Sequence, residues 1–128
     1  MSAGSVSKQD LVLSLKGKAT LNLELKRHLA PKTVGGVMRS VPIEGNAHKM
    51  GDNIAYMDTT IKAGGEKLRI QFKKGDVGFL AANSSICFFM DDVPVTKSMT
   101  LIGKITSNLE SLKDVKPGDI FTITQAGT

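Results

Sequence analysis

Leucine alternates with other residues in two segments near the start of the chain. Residues 11–15 and 21–25 each carry leucine at every second position. A period of two is typical of a β-strand that buries one face. Lys16, Gly17 and Lys18 lie between the two segments and can turn the chain back on itself, so the pattern predicts a β-hairpin.

The apolar period changes after Pro31. Apolar residues at positions 34, 37, 38 and 41 follow at helical spacing, which predicts a short amphipathic helix. Proline suits the first helical turn because its missing N–H would be unpaired there in any case, and Pro42 ends the helix. Gly35 and Gly36 each lower helix propensity by about 1 kcal/mol relative to alanine, and close packing against the rest of the protein is one role for them.

The remaining pattern is that of many short strands. Residues 45–53 are rich in glycine, asparagine and aspartate, which predicts a loop. Ser107 and Glu110 fit a capping box at the start of a second short helix. Further strands are predicted at residues 54–57, 68–72, 77–82, 86–90, 99–105 and 120–124.

About eight short strands and two helices favour a mainly β fold closed into a barrel, since closure leaves no unpaired edge. The two helices can cap the barrel ends. A length of 128 residues predicts one domain, which we place at residues 11–125 after a flexible N-terminus at residues 1–10. That N-terminus holds no apolar run, and no segment approaches the roughly 18 apolar residues of a membrane span. We therefore expect a cytoplasmic protein without a membrane partner.

Charge and residue types exclude several other functions. The net charge of +5 comes from scattered basic residues, Tyr56 is the single tyrosine and tryptophan is absent, so we expect a solvated basic surface and no nucleic-acid partner. The single cysteine, Cys87, lies in an apolar run and is predicted to be buried. No histidine, cysteine or carboxylate cluster has metal-ligand spacing, and no phosphate-cradling loop is present, so we expect no metal and no cofactor.

Several motifs occur in the order in which cyclophilins carry them. Residues 30–33, Ala-Pro-Lys-Thr, resemble the start of the first cyclophilin helix. Residues 75–90 resemble the segment that ends in a Phe-Phe strand, and residues 103–105, Gly-Lys-Ile, are similar to the motif that enters the second helix.

A closer resemblance is to the small bacterial and archaeal cyclophilin-like proteins, whose function is largely unassigned. They share a Pro-Ile-Glu-Gly segment, here residues 42–45, and two Gly-Asp pairs, here at residues 51–52 and 75–76. The resemblance covers roughly residues 11–124 and implies a cyclophilin-like barrel.

The resemblance also implies a chemistry. Rotation about a peptide bond has a barrier of about 18–20 kcal/mol because the twisted amide loses resonance. A donor aimed at the pyramidal nitrogen stabilises the twisted state more than the planar one. Cyclophilins place an arginine for this purpose in a Phe-His-Arg run, and the comparable run here is Ala47, His48 and Lys49. His48 and Lys49 are therefore the implied catalytic residues, although lysine lacks the planar donor fork of arginine.

A ligand-binding set follows from the same resemblance. It comprises a pocket for the proline ring and a shelf for the substrate. Residues 93–97 replace the segment in which larger cyclophilins have a tryptophan that forms one wall of the pocket. Because alternate strand residues face opposite sides of a barrel, Phe88 and Phe89 cannot both face the groove. The implied ligand-binding residues are Tyr56, Met57, Ala82, Asn83, Phe88 and Phe89.

We therefore predict a cyclophilin-like protein with a groove for a proline-containing peptide or a small ligand, and at most weak peptidyl-prolyl isomerase activity. The alternative is a genuine isomerase that uses Lys49 in place of the usual arginine. Taken singly, Met57, Phe88 and Phe89 are more typical of a barrel core than of a pocket, and a lysine such as Lys49 is most often a solvated loop residue. Self-association through residues 93–95 stays open, as does the oligomeric state.

Overall fold

Nine β-strands, one α-helix and one 3-10 helix make up the described part of the structure, a computed structural model that describes residues 8–126. The elements follow one another as β1 (Lys8–Leu15), β2 (Ala19–Lys26), α1 (Pro31–Ser40), β3 (Ile43–Met50), β4 (Ile54–Asp58), β5 (Arg69–Phe72), β6 (Asp76–Leu80), β7 (Ser85–Phe89), β8 (Val93–Ser107), the 3-10 helix (Leu109–Asp114) and β9 (Ile120–Gln125).

Eight of these strands close into an antiparallel barrel in the order β2-β1-β9-β3-β4-β7-β6-β8, and β8 pairs back with β2. Strand β8 is 15 residues long. Its second half closes the barrel against β2 and β6, whereas its first half continues past the barrel wall and pairs with β5. The prediction of a mainly β, closed barrel with two helices is confirmed.

The predicted hairpin of β1 and β2 is present, and it supplies much of the barrel core. The six leucines of residues 11–15 and 21–25 are each at most 2% exposed. Gly17 has φ +79°, a left-handed conformation that glycine adopts without steric cost, in the turn between the two strands.

Helix α1 begins at Pro31 and ends after Ser40, within the predicted bounds. Its N-cap residue, Ala30, offers no side-chain hydrogen bond. The carboxylate of Glu66 accepts instead, from the Lys32 N–H at 3.3 Å, the Thr33 N–H at 2.7 Å and the Thr33 hydroxyl at 2.8 Å. A residue far along the chain therefore provides the cap that the local sequence lacks.

The loop predicted at residues 45–53 is wrong, because strand β3 runs to Met50 and only residues 51–53 form the turn. Gly45 pairs with Phe121 of β9. A Cβ atom at Gly45 would collide with the carbonyl oxygen of Asp58. The glycine that signalled a loop thus serves a close approach of two backbones inside the sheet.

The predicted capping box at Ser107 and Glu110 is also wrong. Asn108 is the N-cap residue, with φ 60° and no side-chain cap bond. The Ser107 hydroxyl accepts from the Asn22 N–H at 3.3 Å, and the Asn108 amide donates to the Thr20 carbonyl at 2.9 Å. Both side chains therefore form hydrogen bonds with β2 rather than cap the helix.

The buried hydrophobic residues form two clusters. The larger one fills the barrel. The smaller one, the outer cluster, lies on the outer face beneath β5 and the first half of β8. It consists of Ile54, Phe72, Leu80, Cys87, Phe89 and Met99.

Most of the predicted flexible N-terminus, residues 1–7, lies outside the described residues, while residues 8–10 belong to β1. Within residues 8–126, no helix is long and apolar enough to cross a membrane.

Candidate functional site

The outer face of strands β3, β4 and β7 brings together several of the predicted site residues. His48 pairs with Tyr56 across β3 and β4, and Tyr56 pairs with Cys87 across β4 and β7. Because strand side chains alternate between faces, these three residues share the outer face, and their neighbours Ala47 and Met57 face the barrel interior.

His48 is held by two contacts on this face. Its Nε2 atom lies 2.7 Å from Oδ2 of Asp58, and its ring stacks on Tyr56 at a centroid distance of 5.0 Å and an interplanar angle of 26°. The side chains of His48 and Asp58 are 37% and 55% exposed. The residues next to His48 in the sequence do not reveal this partner. The strand period of two could have indicated it. Asp58 follows Tyr56 by two residues, so its side chain lies on the same face of β4 as Tyr56 and His48.

An open groove lies farther along the same face, between the β3–β4 turn and the first half of β8. One cleft of about 320 Å³ is lined by residues 50–54 and 93–96. A second cleft of about 140 Å³ is lined by Met50, Leu80, Asn83, Met99 and residues 95–97. The two clefts share Met50, Val95 and Thr96, so we treat them as one feature, the outer groove.

The floor of the outer groove is the outer cluster, to which Ile54, Leu80 and Met99 contribute. Phe89 belongs to the same cluster but is 0% exposed. The ring of Phe72 covers it, stacked at 4.4 Å with an interplanar angle of 4°. Tyr56 is half-buried and packs against the cluster. The chain's own β5 strand thus occupies the position over Phe89.

Met57 and Phe88 lie in the barrel interior and are each 0% exposed. Phe88 packs edge-on against Phe121 at 5.4 Å. The prediction that Phe88 and Phe89 face opposite sides is confirmed, since one belongs to the barrel core and the other to the outer cluster. Because both side chains are fully buried, a ligand bound at the protein surface would not contact Met57 or Phe88.

Lys49 does not join His48 on the outer face. It is half-buried, and its Nζ atom donates to the carbonyl oxygen of Lys113 in the 3-10 helix at 3.4 Å. Ala82 and Asn83 are exposed in the β6–β7 turn. Of these two, Asn83 lines the outer groove.

Two other chemical features bear on the site. Burial raises the pKa of the Cys87 thiol to about 12, which keeps it protonated at neutral pH. Among residues 8–126, no three histidine, cysteine or carboxylate side chains are placed to hold a metal ion.

A sequence model of the cyclophilin-like family matches residues 9–124 of this barrel. The chain belongs to the cyclophilin-like family. The solution structure of a hypothetical protein from Archaeoglobus fulgidus has the same fold, with a TM-score of 0.79 and 25% sequence identity over 94% of this chain and 96% of that one.

A second solved structure, McbB in complex with tryptophan, aligns with a TM-score of 0.78 over 92% of this chain and 45% of that one. At 9% identity it shows a shared fold alone. A comparison with curated proteins found no match.

Proposed function

We propose that this protein binds an extended, proline-containing peptide or a small apolar ligand in the outer groove, with at most weak peptidyl-prolyl isomerase activity. The observation that carries the proposal is the outer groove itself. Its walls are largely apolar, with Met50 39% exposed above the buried Ile54, and Asn83 and Thr96 supply polar groups at the rim. Apolar walls with a few polar groups are typical of ligand sites.

The chemistry of the groove suits an extended peptide. A proline ring or a short aliphatic side chain can pack against Met50 and Val95, while the Asn83 amide can both donate to and accept from a peptide backbone. His48 extends this surface, because it lies two residues before Met50 on the same face of β3, about 7 Å along the strand. When Nε2–H donates to Asp58, Nδ1 is left as an acceptor for a ligand N–H group.

Efficient isomerisation has little support from the same geometry. It requires a donor aimed at the proline nitrogen, and the Lys49 ammonium donates instead to the Lys113 carbonyl. It also requires a pocket wall, and the Phe89 ring is covered by Phe72. The alternative is an isomerase that uses Lys49. It would require the Lys49 side chain to break its hydrogen bond to Lys113 and to reach the outer face.

A titration followed by amide NMR tests the proposal. The probes are the tetrapeptide Ala-Ala-Pro-Phe and free tryptophan, the latter because McbB shares the fold and was solved with tryptophan. We expect saturable shifts at residues 50–54 and 93–97 with one of the two probes. Absence of a saturable shift in the groove with both probes would refute it.

Two matched variants locate the binding surface. Met50→Ala removes an exposed apolar side chain in the groove, and Leu68→Ala removes one outside it, 55% exposed. We expect Met50→Ala to weaken binding about fivefold, since a central interface contact contributes about 1 kcal/mol or more, and Leu68→Ala to leave it unchanged. Equal losses in both variants would place binding elsewhere.

A protease-coupled isomerisation assay on the same tetrapeptide separates the two functions. We expect the wild type to accelerate the reaction little above the uncatalysed rate, and Lys49→Ala to change nothing. A robust activity that Lys49→Ala abolishes would favour the isomerase instead.

A cytoplasmic location is part of the proposal. The lone, buried Cys87 is in keeping with a reducing compartment, where disulfides are rare. Cell fractionation checks it, and recovery of the protein in the membrane fraction or the medium would contradict it.

A further inference from the structure

Two of the three arginines of this chain converge beside helix α1. Arg27 lies in the turn between β2 and α1, and Arg39 lies in the last turn of α1. A Cβ atom at Gly35 would lie 3.2 Å from Nη1 of Arg39 and 3.7 Å from Nη1 of Arg27. The two nitrogen atoms are therefore no farther apart than the sum of these distances, and two positive groups approach each other.

Within residues 8–126, neither arginine of this pair forms an ion pair or a side-chain hydrogen bond with a carboxylate. The Nε atom of Arg27 is buried and has no hydrogen-bond partner. An unpaired buried donor destabilises the folded state, and like charges at short range add repulsion. An anion between the two guanidinium groups would offset this repulsion.

Gly35 makes the convergence possible. It is a buried position in the middle of α1, where glycine is less favourable than alanine. A Cβ atom there would press on the Arg39 guanidinium at 3.2 Å. The Arg39 guanidinium therefore lies where a side chain at position 35 would be, and the Arg27 guanidinium lies next to it.

The donors of the two guanidinium groups select the class of anion. Each guanidinium presents a planar fork of N–H groups that matches two oxygen atoms of one acceptor. A phosphate group carries up to two negative charges and several oxygens, so one group can serve both forks, whereas a carboxylate offers one charge and two oxygens. The net charge of +5 favours the approach of any such anion.

We propose that Arg27 and Arg39, on either side of Gly35, form a binding site for a phosphate group, either inorganic phosphate or a phosphate monoester. The site shares no lining residue with the outer groove. It is a second binding function, independent of the peptide or small ligand proposed for the groove.

Side-chain NMR tests the site directly, because three arginines yield three Nε–H signals. The probe is inorganic phosphate, added to protein with ¹⁵N-labelled arginine at constant ionic strength maintained with sodium chloride. We expect saturable shifts for Arg27 and Arg39, with a dissociation constant of about 1 mM, and none for Arg69, an exposed arginine of β5. Shifts that stay linear with phosphate, or that are equal at all three arginines, would overturn the proposal.

Conservative variants then test the donor geometry. Arg39→Lys keeps the charge at an exposed position but removes the fork, and we expect phosphate to bind at least fivefold more weakly. Arg69→Lys is the matched control and leaves the affinity unchanged. An unchanged affinity in a folded Arg39→Lys protein, checked by its amide spectrum, would overturn the site.

A second probe, glycerol 3-phosphate, distinguishes the two sources of the phosphate group. Tighter binding than inorganic phosphate assigns the site to a monoester, and weaker binding assigns it to the free ion. Failure of both probes to bind saturably would refute the inference while leaving the outer groove untouched.

Discussion

Removing the Glu66 carboxylate is expected to destabilise the protein through the N-terminus of helix α1. Glu66 lies between β4 and β5, outside regular structure. Its two oxygens accept three hydrogen bonds from Lys32 and Thr33, and its own N–H donates to the buried Thr100 hydroxyl at 2.9 Å. The side chain thus joins a loop to a helix that has no local cap.

The magnitude follows from these contacts. A side-chain cap contributes about 1 kcal/mol, with a range of 0.5–2 kcal/mol, and a negative charge at a helix N-terminus adds about 0.3–1 kcal/mol. We expect Glu66→Ala to lower the free energy of unfolding by about 2 kcal/mol, the upper end of the sum of these two effects, because the carboxylate accepts three hydrogen bonds. Glu66→Gln keeps the shape and one acceptor oxygen, so we expect a loss of about 1 kcal/mol.

Urea unfolding followed by circular dichroism measures this loss, and urea is preferable to guanidinium because it does not screen charge. Glu110→Ala is the matched control. Glu110 is the acidic residue in the first turn of the 3-10 helix, and no hydrogen bond or ion pair of its side chain is found within residues 8–126. We expect it to change stability by less than about 0.5 kcal/mol.

The effect of Glu66→Gln depends on pH in a defined direction. Burial opposes ionisation of Glu66, but the hydrogen bonds from Thr33 and Lys32 outweigh it and hold its pKa below the ordinary 4.5. A carboxylate with a lowered pKa stabilises the folded state above its unfolded pKa, and this contribution is lost as pH falls through the folded pKa. The difference between wild type and Glu66→Gln should therefore be full at pH 7 and shrink well below pH 4.5. A difference that is constant with pH, or a Glu66→Ala loss no larger than that of Glu110→Ala, would refute the capping role.

Three further predictions concern packing. Phe72→Ala should lower the free energy of unfolding by about 3 kcal/mol. This is the lower end for a buried phenylalanine, because the outer face can partly collapse into the space left. A loss below about 1 kcal/mol would show that β5 does not pack on Phe89. Gly45→Ala should destabilise the protein strongly or prevent folding, since the new Cβ atom would collide with the neighbouring strand. The control Gly64→Ala has open space around it and should be nearly neutral. Equal effects of the two variants on the thermal midpoint would contradict the close approach at Gly45. The Cys87 thiol, with its pKa raised to about 12, should not react with a disulfide reagent at pH 8 until urea unfolds the protein, and rapid labelling of the native state would contradict its burial.

The sequence predicted the fold better than the site, and particular residues show why. Phe88 and Phe89 had to face opposite sides because successive side chains of a strand alternate between its faces. Both residues are apolar, so the sequence did not show which of them faces the barrel interior. The barrel interior took Phe88, and strand β5 covered Phe89. Asp58 was overlooked as the partner of His48 because its importance depends on the pairing of β3 with β4.

Two errors share one physical cause. Glycine, asparagine and aspartate in residues 45–53 predict a loop, yet Gly45 lies in a strand where two backbones approach closely. Ser107 and Glu110 matched a local capping motif, but the Ser107 hydroxyl accepts from Asn22 of β2 instead. In both cases a contact with a distant strand outweighed the preference of the local sequence.

The sequence by itself determined the elements whose signals are local. Alternating leucines specified the β1–β2 hairpin, because a period of two buries one face of a strand. Two prolines bounded α1, because each restricts the backbone next to it. Only the tertiary structure decided the contacts between distant residues: the Glu66 cap on α1, the Lys49 bond to Lys113, the outer groove, and the convergence of Arg27 and Arg39. These contacts depend on barrel closure, which brings residues far apart in the chain to within bonding distance, and no local period records that.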